Sequence, residues 1–297
     1  MKQVIVIGAS GFIGQHVVRH LIEGGWQVHG VVRATSDVDE LCQAGMQAHA
    51  CDIEPMEIIR KFGEVDAIVH CAAAYGRETT GISSVVETNV LLPLRWLVAA
   101  VTVQVKIFIH LDTCFSLSYP YLRPYTLSKK QMVAWGAEIT NSSSTCFANL
   151  QLQHPFGPGD RPGKFIPWVI EQCLQSEQPV KLTEGTQKKD FVYVADVAEA
   201  VTCLVDHRNT LESGLAEFQC GRGDSVTVRQ FVETIHRFAE SAAELQFGAI
   251  SQRANEPEIS QADLSALNRL GWSPQTSLED GLKKTINAAK NRLRFQE

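Results

Sequence analysis

Val4-Ile-Val-Ile7 runs directly into Gly8-Ala-Ser-Gly11-Phe-Ile-Gly14. An apolar strand that ends in regularly spaced glycines and then opens a helix is the turn that takes the phosphates of a dinucleotide. Glycines let the backbone approach a pyrophosphate, and the helix N-terminus favours its negative charge. The residues assigned to this contact are Gly8, Ser10, Gly11, Phe12, Ile13 and Gly14. The spacing departs from G-x-G-x-x-G, and a structural turn with no ligand is the competing reading.

Outward from this turn, the first half alternates short apolar strands with helix-length amphipathic segments, the rhythm of a parallel sheet. Strands are expected over 3–7, 27–32, 47–50, 67–70, 106–111 and 145–152. Helices are expected over 12–23, 38–43, 56–62, 84–100 and 125–139, and Gly24-Gly25 closes the first of them. From His154 to Gly163 the chain is rich in turn residues, which marks a crossing between domains. The expected fold is α/β. A doubly wound parallel sheet of the Rossmann type covers 1–155 and takes back about 190–210. A smaller α+β substrate-binding domain covers 156–297.

The bulk numbers narrow the function classes. Of 297 residues, 44% are hydrophobic and 20% charged, and the net charge is −6. That balance argues against a general affinity for nucleic acid. The eight cysteines include no CxxC pair, so neither a disulfide framework nor a metal site is expected. The apolar run after Lys2 is too short for a signal peptide. No stretch reads as the ~18 apolar residues of a membrane helix. A cytoplasmic protein without membrane partners is the expectation.

Tyr125 and Lys129 stand four residues apart in Tyr125-Thr-Leu-Ser-Lys129 and share one helix face. An ammonium there can lower the phenol pKa and let the tyrosine move a proton near neutral pH. Beside a nicotinamide, this is carbonyl–alcohol redox chemistry. Tyr119 and Tyr121 have no lysine at i+4, and chance is the competing reading of the pair. Thr113, ending the strand before the helix, is the hydroxyl expected to hydrogen-bond a substrate carbonyl; Asp112 and Cys114 compete for that place.

Arg33 ends the second strand, where an acid would bind the ribose of NAD and an arginine suits the 2′-phosphate of NADP. A solvated surface arginine is the alternative. Asp37 falls slightly late to be a ribose acid. Asp52 is placed at the adenine amino group, with a plain turn role equally open. In His70-Cys-Ala-Ala-Ala74 the small side chains, Ala72 among them, leave room for the cofactor, although close packing explains them nearly as well. Asn89, polar within an apolar segment, is read as structural.

Taken together, these residues resemble the extended short-chain dehydrogenase/reductase family, in its nucleotide-sugar epimerase/dehydratase branch. The likeness runs over nearly the whole chain through Gly8–Gly14, Thr113, Tyr125/Lys129, Gly157-Pro-Gly159-Asp160, Asp190-Phe-Val-Tyr-Val-Ala-Asp196 and Leu270-Gly-Trp-Ser-Pro274. The segments 152–160, 164–168 and 182–191 narrow it to the 4-ketoreductases that make deoxysugar nucleotides. The resemblance implies NADPH rather than NAD, a sugar-nucleotide substrate and a homodimer built from helices 84–100 and 125–139. It also implies substrate contacts at His154, Lys164, Lys189 and Arg253. Lys189 replaces a common arginine, and His154 a common asparagine; a buried histidine is the plain reading of the latter. Two departures stand out. Thr113 is followed by Cys114-Phe115 in place of the Asp-Glu of dehydratases, which argues against elimination. The loop from Thr113 to Tyr125 is also short. An NAD-retaining 4-epimerase, a dihydroflavonol- or aldehyde-type reductase and a non-catalytic NADP-sensing regulator are the alternatives.

Overall fold

The computed structural model describes residues 2–76, 81–176 and 178–294. Its strands, in chain order, are β1 Gln3–Ile7, β2 Gln27–Val32, β3 Gln47–Ala50, β4 Ala67–His70, β5 Ile107–Thr113, β6 Cys146–Leu152, β7 His154–Phe156, β8 Val180–Lys181, β9 Lys188–Lys189, β10 Phe191–Tyr193, β11 Gly214–Cys220, β12 Val226–Thr227, β13 Leu245–Gln246 and β14 Ile259–Ser260. The helices are α1 Phe12–Glu23, α2 Asp39–Gln43, α3 Pro55–Phe62, α4 Ile82–Val86, α5 Leu92–Thr102, α6 Arg123–Thr140, α7 Phe165–Gln175, α8 Val194–Asp206, α9 Val228–Ala239, α10 Ser265–Arg269 and α11 Leu278–Arg294.

Seven strands form one parallel sheet in the order β11-β6-β5-β4-β1-β2-β3. The chain starts in the middle, winds outward through β3, then returns to the other side at β4. A crevice therefore opens beyond the carboxyl ends of β1 and β4, where the winding reverses. Both faces of the central strands are covered, which is why β1, β4 and β5 read as apolar runs. Val4, Val6, Val69 and Ile109 pack with Val17 and Leu21 of α1 and Val197 and Val201 of α8. On the other face, Ile5, Ile68 and Phe108 pack with Ile58, Trp96, Leu97 and Met132. A third core joins Phe156, Val169, Phe191, Phe231 and Leu282 in the second lobe.

Two of the differences from the sequence expectations concern the main sheet and the helices that cover it. The seventh strand, β11, lies in a segment where no strand was expected. Leu215 and Glu217 are exposed while Phe218 and Cys220 are buried, so this edge strand carries no run of apolar residues to announce it. The second difference is the helical run Ile82–Thr102, long and apolar enough to cross a membrane by length and composition (mean hydropathy 1.4). This corrects the expectation that no stretch has that length and composition. Here Val85, Trp96, Leu97 and Ala100 of that run are buried. Between α4 and α5 it contains a five-residue π turn, Glu87–Leu91. Pro93 follows it and has no N–H, so the carbonyl of Asn89 cannot receive its usual i+4 bond.

Candidate active site

The glycine turn caps the crevice on the β1 side. Gly8 has φ +80°, and its N–H donates to the carbonyl of Val31 at 2.9 Å. A Cβ at Gly8 would lie 2.7 Å from the Ala72 backbone nitrogen, and one at Gly14 would strike the Gly8 carbonyl. Only glycine allows this approach of β1, α1 and the β4 exit. Gly11 caps α1 without a side-chain hydrogen bond, and the first turn holds no acidic residue. The open N–H groups and the positive helix end suit a pyrophosphate. Ser10 donates to Ser36 Oγ at 3.0 Å, and Ser36 N–H to the Arg33 carbonyl at 2.9 Å, so the turn and the β2 exit are tied together. Arg33 and Asp52 are both exposed at the ends of neighbouring strands. The residues Gly8, Ser10, Gly11, Phe12, Ile13, Gly14, Arg33, Asp52 and Ala72 thus follow the carboxyl ends of β1, β2, β3 and β4.

Thr113, Tyr125 and Lys129 meet at the β5 end. Thr113 is 6% exposed, Tyr125 7% and Lys129 2%. The Thr113 hydroxyl lies beside the Tyr125 phenol and favours its ionised form. Burial pushes the Tyr125 phenol well above its ordinary value of 10, and the Tyr75 phenol, Asp112 and Cys114 push the same way; Thr113 alone opposes them. Lys129 is not among the groups that shift the phenol. Its Nζ donates to the Leu111 carbonyl at 2.8 Å. Burial lowers the ammonium to about 8. Asp112, a competitor for the carbonyl contact, is instead engaged by Lys130 Nζ at 2.7 Å. The Cys114 thiol is pushed up to about 11 by burial.

Asn89 fixes this corner, a tighter role than the structural one expected of it. Its side chain accepts from Ala74 N–H and donates to the Ala74 carbonyl, both at 2.8 Å. It also donates to Ser128 Oγ at 2.9 Å, and Ser128 donates to the Tyr125 carbonyl at 2.7 Å.

The four residues expected at the substrate are more scattered. Lys164 caps α7, pairs with Asp160 at 2.6 Å and lies over the rings of Phe12 and Tyr75 at 5.4 and 5.3 Å. It therefore faces the glycine turn. Lys189 is buried against Glu256 at 3.3 Å and donates to the Pro257 carbonyl at 3.2 Å. Arg253 is exposed, stacked 4.1 Å from the Tyr121 ring. His154 is partly exposed, yet its Nε2 is fully covered and lacks a partner among the described residues. Burial, then Lys189, lowers its pKa to about 3, so it is neutral. Phe115 and Phe191 flank its ring at 5.9 and 5.8 Å. The pocket between α7 and α11, lined by Pro158, Pro167, Ile170, Leu174, Ala288 and Leu293, contains none of the Thr113, Tyr125 and Lys129 side chains.

Tyr75, Asp160 and Glu256 were absent from the sequence-based site. The only sequence signal for Tyr75 was an aromatic directly after a run of small residues at a central strand end. Among the described residues no cluster of His, Cys, Asp or Glu could hold a metal ion.

Comparison with known proteins gives the same outline. A model of the NAD dependent epimerase/dehydratase family matches residues 4–221. CDP-abequose synthases of Salmonella muenchen and Salmonella typhimurium (strain LT2) are 30% and 32% identical to the chain, each alignment covering 96% of it and 97% of the relative. UDP-glucose 4-epimerase from Thermotoga maritima, solved with UDP-glucose, superposes with a TM-score of 0.84 at 24% identity over 98% of this chain and 99% of that one. MoeE5 in complex with UDP-glucose and NAD does so with a TM-score of 0.81 at 25% identity, over the same shares.

Proposed function

The chain belongs to the NAD dependent epimerase/dehydratase family, and on that premise we propose that it reduces the C4 ketone of a nucleoside-diphosphate-linked 4-keto-6-deoxy or 3,6-dideoxy hexose with NADPH. The observation that carries the reading is the Thr113–Tyr125 hydroxyl pair above buried Lys129, across the crevice from the glycine turn. The deoxysugar-nucleotide relatives named above, matched over nearly their whole length, support the substrate class.

The residues fit a dinucleotide. Gly8 and Gly14 leave a cradle that a Cβ would fill, and α1 presents an uncapped N-terminus to it. When bound, the nicotinamide supplies the hydride for the sugar carbonyl. Thr113 and Tyr125 hold the carbonyl oxygen by hydrogen bonds that strengthen as negative charge grows there. Tyr125, kept protonated by its surroundings, gives its phenolic proton to that oxygen. Lys129, four residues along the same helix with its Nζ on the Leu111 carbonyl, would hold the nicotinamide ribose. Arg33, exposed and without an ion pair among the described residues, would bind the 2′-phosphate. His154, Lys189 and Arg253 lie on the second lobe, where the sugar nucleotide would enter.

Arg33, standing where an acid would suit NAD, favours NADPH-consuming reduction over the NAD-retaining 4-epimerase. For assembly, we propose a homodimer through α5 and α6, which pack together and expose Val98, Leu127 and Trp135. The test of the activity is NADPH oxidation, with NADH in parallel, against CDP-, dTDP-, GDP- and UDP-linked 4-keto-6-deoxy sugars. Rapid oxidation with one base supports the reading. No oxidation with any, together with NAD retained through purification, would move the assignment to the epimerase.

A further inference from the structure

Tyr75 leaves the end of β4 and stacks on Tyr125, with ring centroids 4.7 Å apart and planes 28° from parallel. Two independent constraints hold it there. From the backbone side, Asn89 grips both the N–H and the carbonyl of Ala74, the residue before it. The same Asn89 reaches the Tyr125 carbonyl through Ser128. From the opposite lobe, the Lys164 ammonium lies 5.3 Å from the Tyr75 ring centroid while pairing with Asp160. The result is a closed circuit: Tyr125 to Ser128 to Asn89 to Ala74 to Tyr75, and back to Tyr125 through the rings.

We propose that Tyr75 is a positioning residue for Tyr125, and that Lys164 couples its seating to the second lobe. This rests on the reductase reading for its consequence in turnover, though not for its geometry. A phenol on a single side chain swings about two torsions. Stacking against a ring that is itself anchored at its backbone removes that freedom in the direction of the crevice. Misplacement of a reacting group by about 1 Å can cost roughly 10²-fold in rate. A cation over the outer face of Tyr75 adds attraction that depends on where the second lobe sits.

The groups that face Tyr125 bear on the test. They are Tyr75 from the β4 exit and Asp112, Thr113 and Cys114 from the β5 end; Lys129 stands one turn along the same helix with its Nζ on the Leu111 carbonyl. The Tyr75 hydroxyl is the second-largest influence raising the Tyr125 phenol, after burial. Removing that hydroxyl while keeping the ring separates two functions. Tyr75→Phe preserves the stack and withdraws the neighbouring phenol, whereas Tyr75→Leu removes the stack.

The experiment measures kcat, KM and the pH profile for wild type, Tyr75→Leu, Tyr75→Phe and Lys164→Met. NADPH binding and melting temperature serve as controls for folding. In Tyr75→Leu, kcat should fall roughly 10- to 100-fold with KM changed less than about threefold. Tyr75→Phe should recover most of that loss, and its alkaline limb should move to lower pH. Lys164→Met should lower kcat by a smaller factor in the same direction. An unchanged kcat in a folded Tyr75→Leu protein, or a loss confined to KM, overturns the inference. If the wild-type chain turns over none of the sugar nucleotides, the reductase reading fails instead. The inference is then decided without turnover, by the ring-flip rate of Tyr125 in NMR spectra of ring-labelled protein, assigned with the Tyr125→Phe protein. Faster flipping in Tyr75→Leu than in wild type and Tyr75→Phe sustains it, and an unchanged rate removes it.

Discussion

Lys129 points at a backbone carbonyl and has no carboxylate partner among the described residues, whereas Lys164 and Lys189 across the crevice each hold one, Asp160 at 2.6 Å and Glu256 at 3.3 Å. Burial of an unpaired ammonium lowers Lys129 to about 8, so its charge is poised to change. The second lobe is arranged the other way. Its buried lysine is neutralised internally, and Gln187 Nε2 also approaches Glu256, at 3.4 Å. One side of the crevice keeps a cation ready beside a proton donor. The other keeps its cation quiet until an anion competes for it.

The sharpest way to break this contrast is to remove the proton donor. Tyr125→Phe should lower kcat by roughly 10²–10⁴ while NADPH binding stays nearly intact. Steady-state rates and fluorescence titration of NADPH check both halves; wild-type turnover would take Tyr125 out of the mechanism. Next in size is the cofactor edge. Arg33→Ala should reduce the preference for NADPH over NADH by roughly 10- to 100-fold, the worth of a charge-assisted contact. The ratio of kcat/KM for the two cofactors measures it, and an unchanged ratio sends the 2′-phosphate elsewhere.

The same contrast governs how much was legible in the sequence. Gly8, Gly11 and Gly14 act within seven residues, and Tyr125 and Lys129 within five, so spacing alone carries their geometry. The sheet was legible for a related reason: strands buried on both faces read as unbroken apolar runs. β11 was not, because an edge strand alternates and its partner β6 lies far away in sequence. In the second lobe, Lys189 meets Glu256 and Pro257 across 67 and 68 positions (256 − 189 and 257 − 189), which no local pattern announces. Lys164 shows the limit of resemblance. Its place in the segment suggested the substrate, but the fold turns it over Phe12 and Tyr75. Even the Tyr125–Lys129 spacing was only half informative. It put both on one face, but not the Nζ on the Leu111 carbonyl.

If Glu256 occupies the place of an incoming anion, removing its charge should release Lys189. Glu256→Gln is expected to tighten binding of a nucleoside diphosphate by roughly tenfold, about 1.4 kcal/mol. Calorimetric titration with CDP, dTDP, GDP and UDP in the absence of NADPH measures this. Weaker binding of all four to a folded variant would show that the carboxylate orders the site and does not stand in for a ligand.

The smallest effect on turnover concerns His154, whose neutral ring is enforced by burial and by Lys189. Its folded pKa of about 3 lies below the unfolded value of 6.5. Between those values the unfolded chain binds a proton that the folded chain refuses. Its contribution to stability is therefore complete above pH 6.5 and declines as the pH falls towards 3, by at most about 1.4 kcal/mol per pH unit. His154→Asn should flatten that acid limb by up to one proton, measured as the pH dependence of urea unfolding. Some slope must remain, because His29, His70 and His110 are lowered in the same direction. An acid limb identical in the variant would mean that His154 takes its proton in the folded chain. Its covered Nε2 would then have to find a partner by local opening, and the second lobe would be looser than its packing around Phe115 and Phe191 implies.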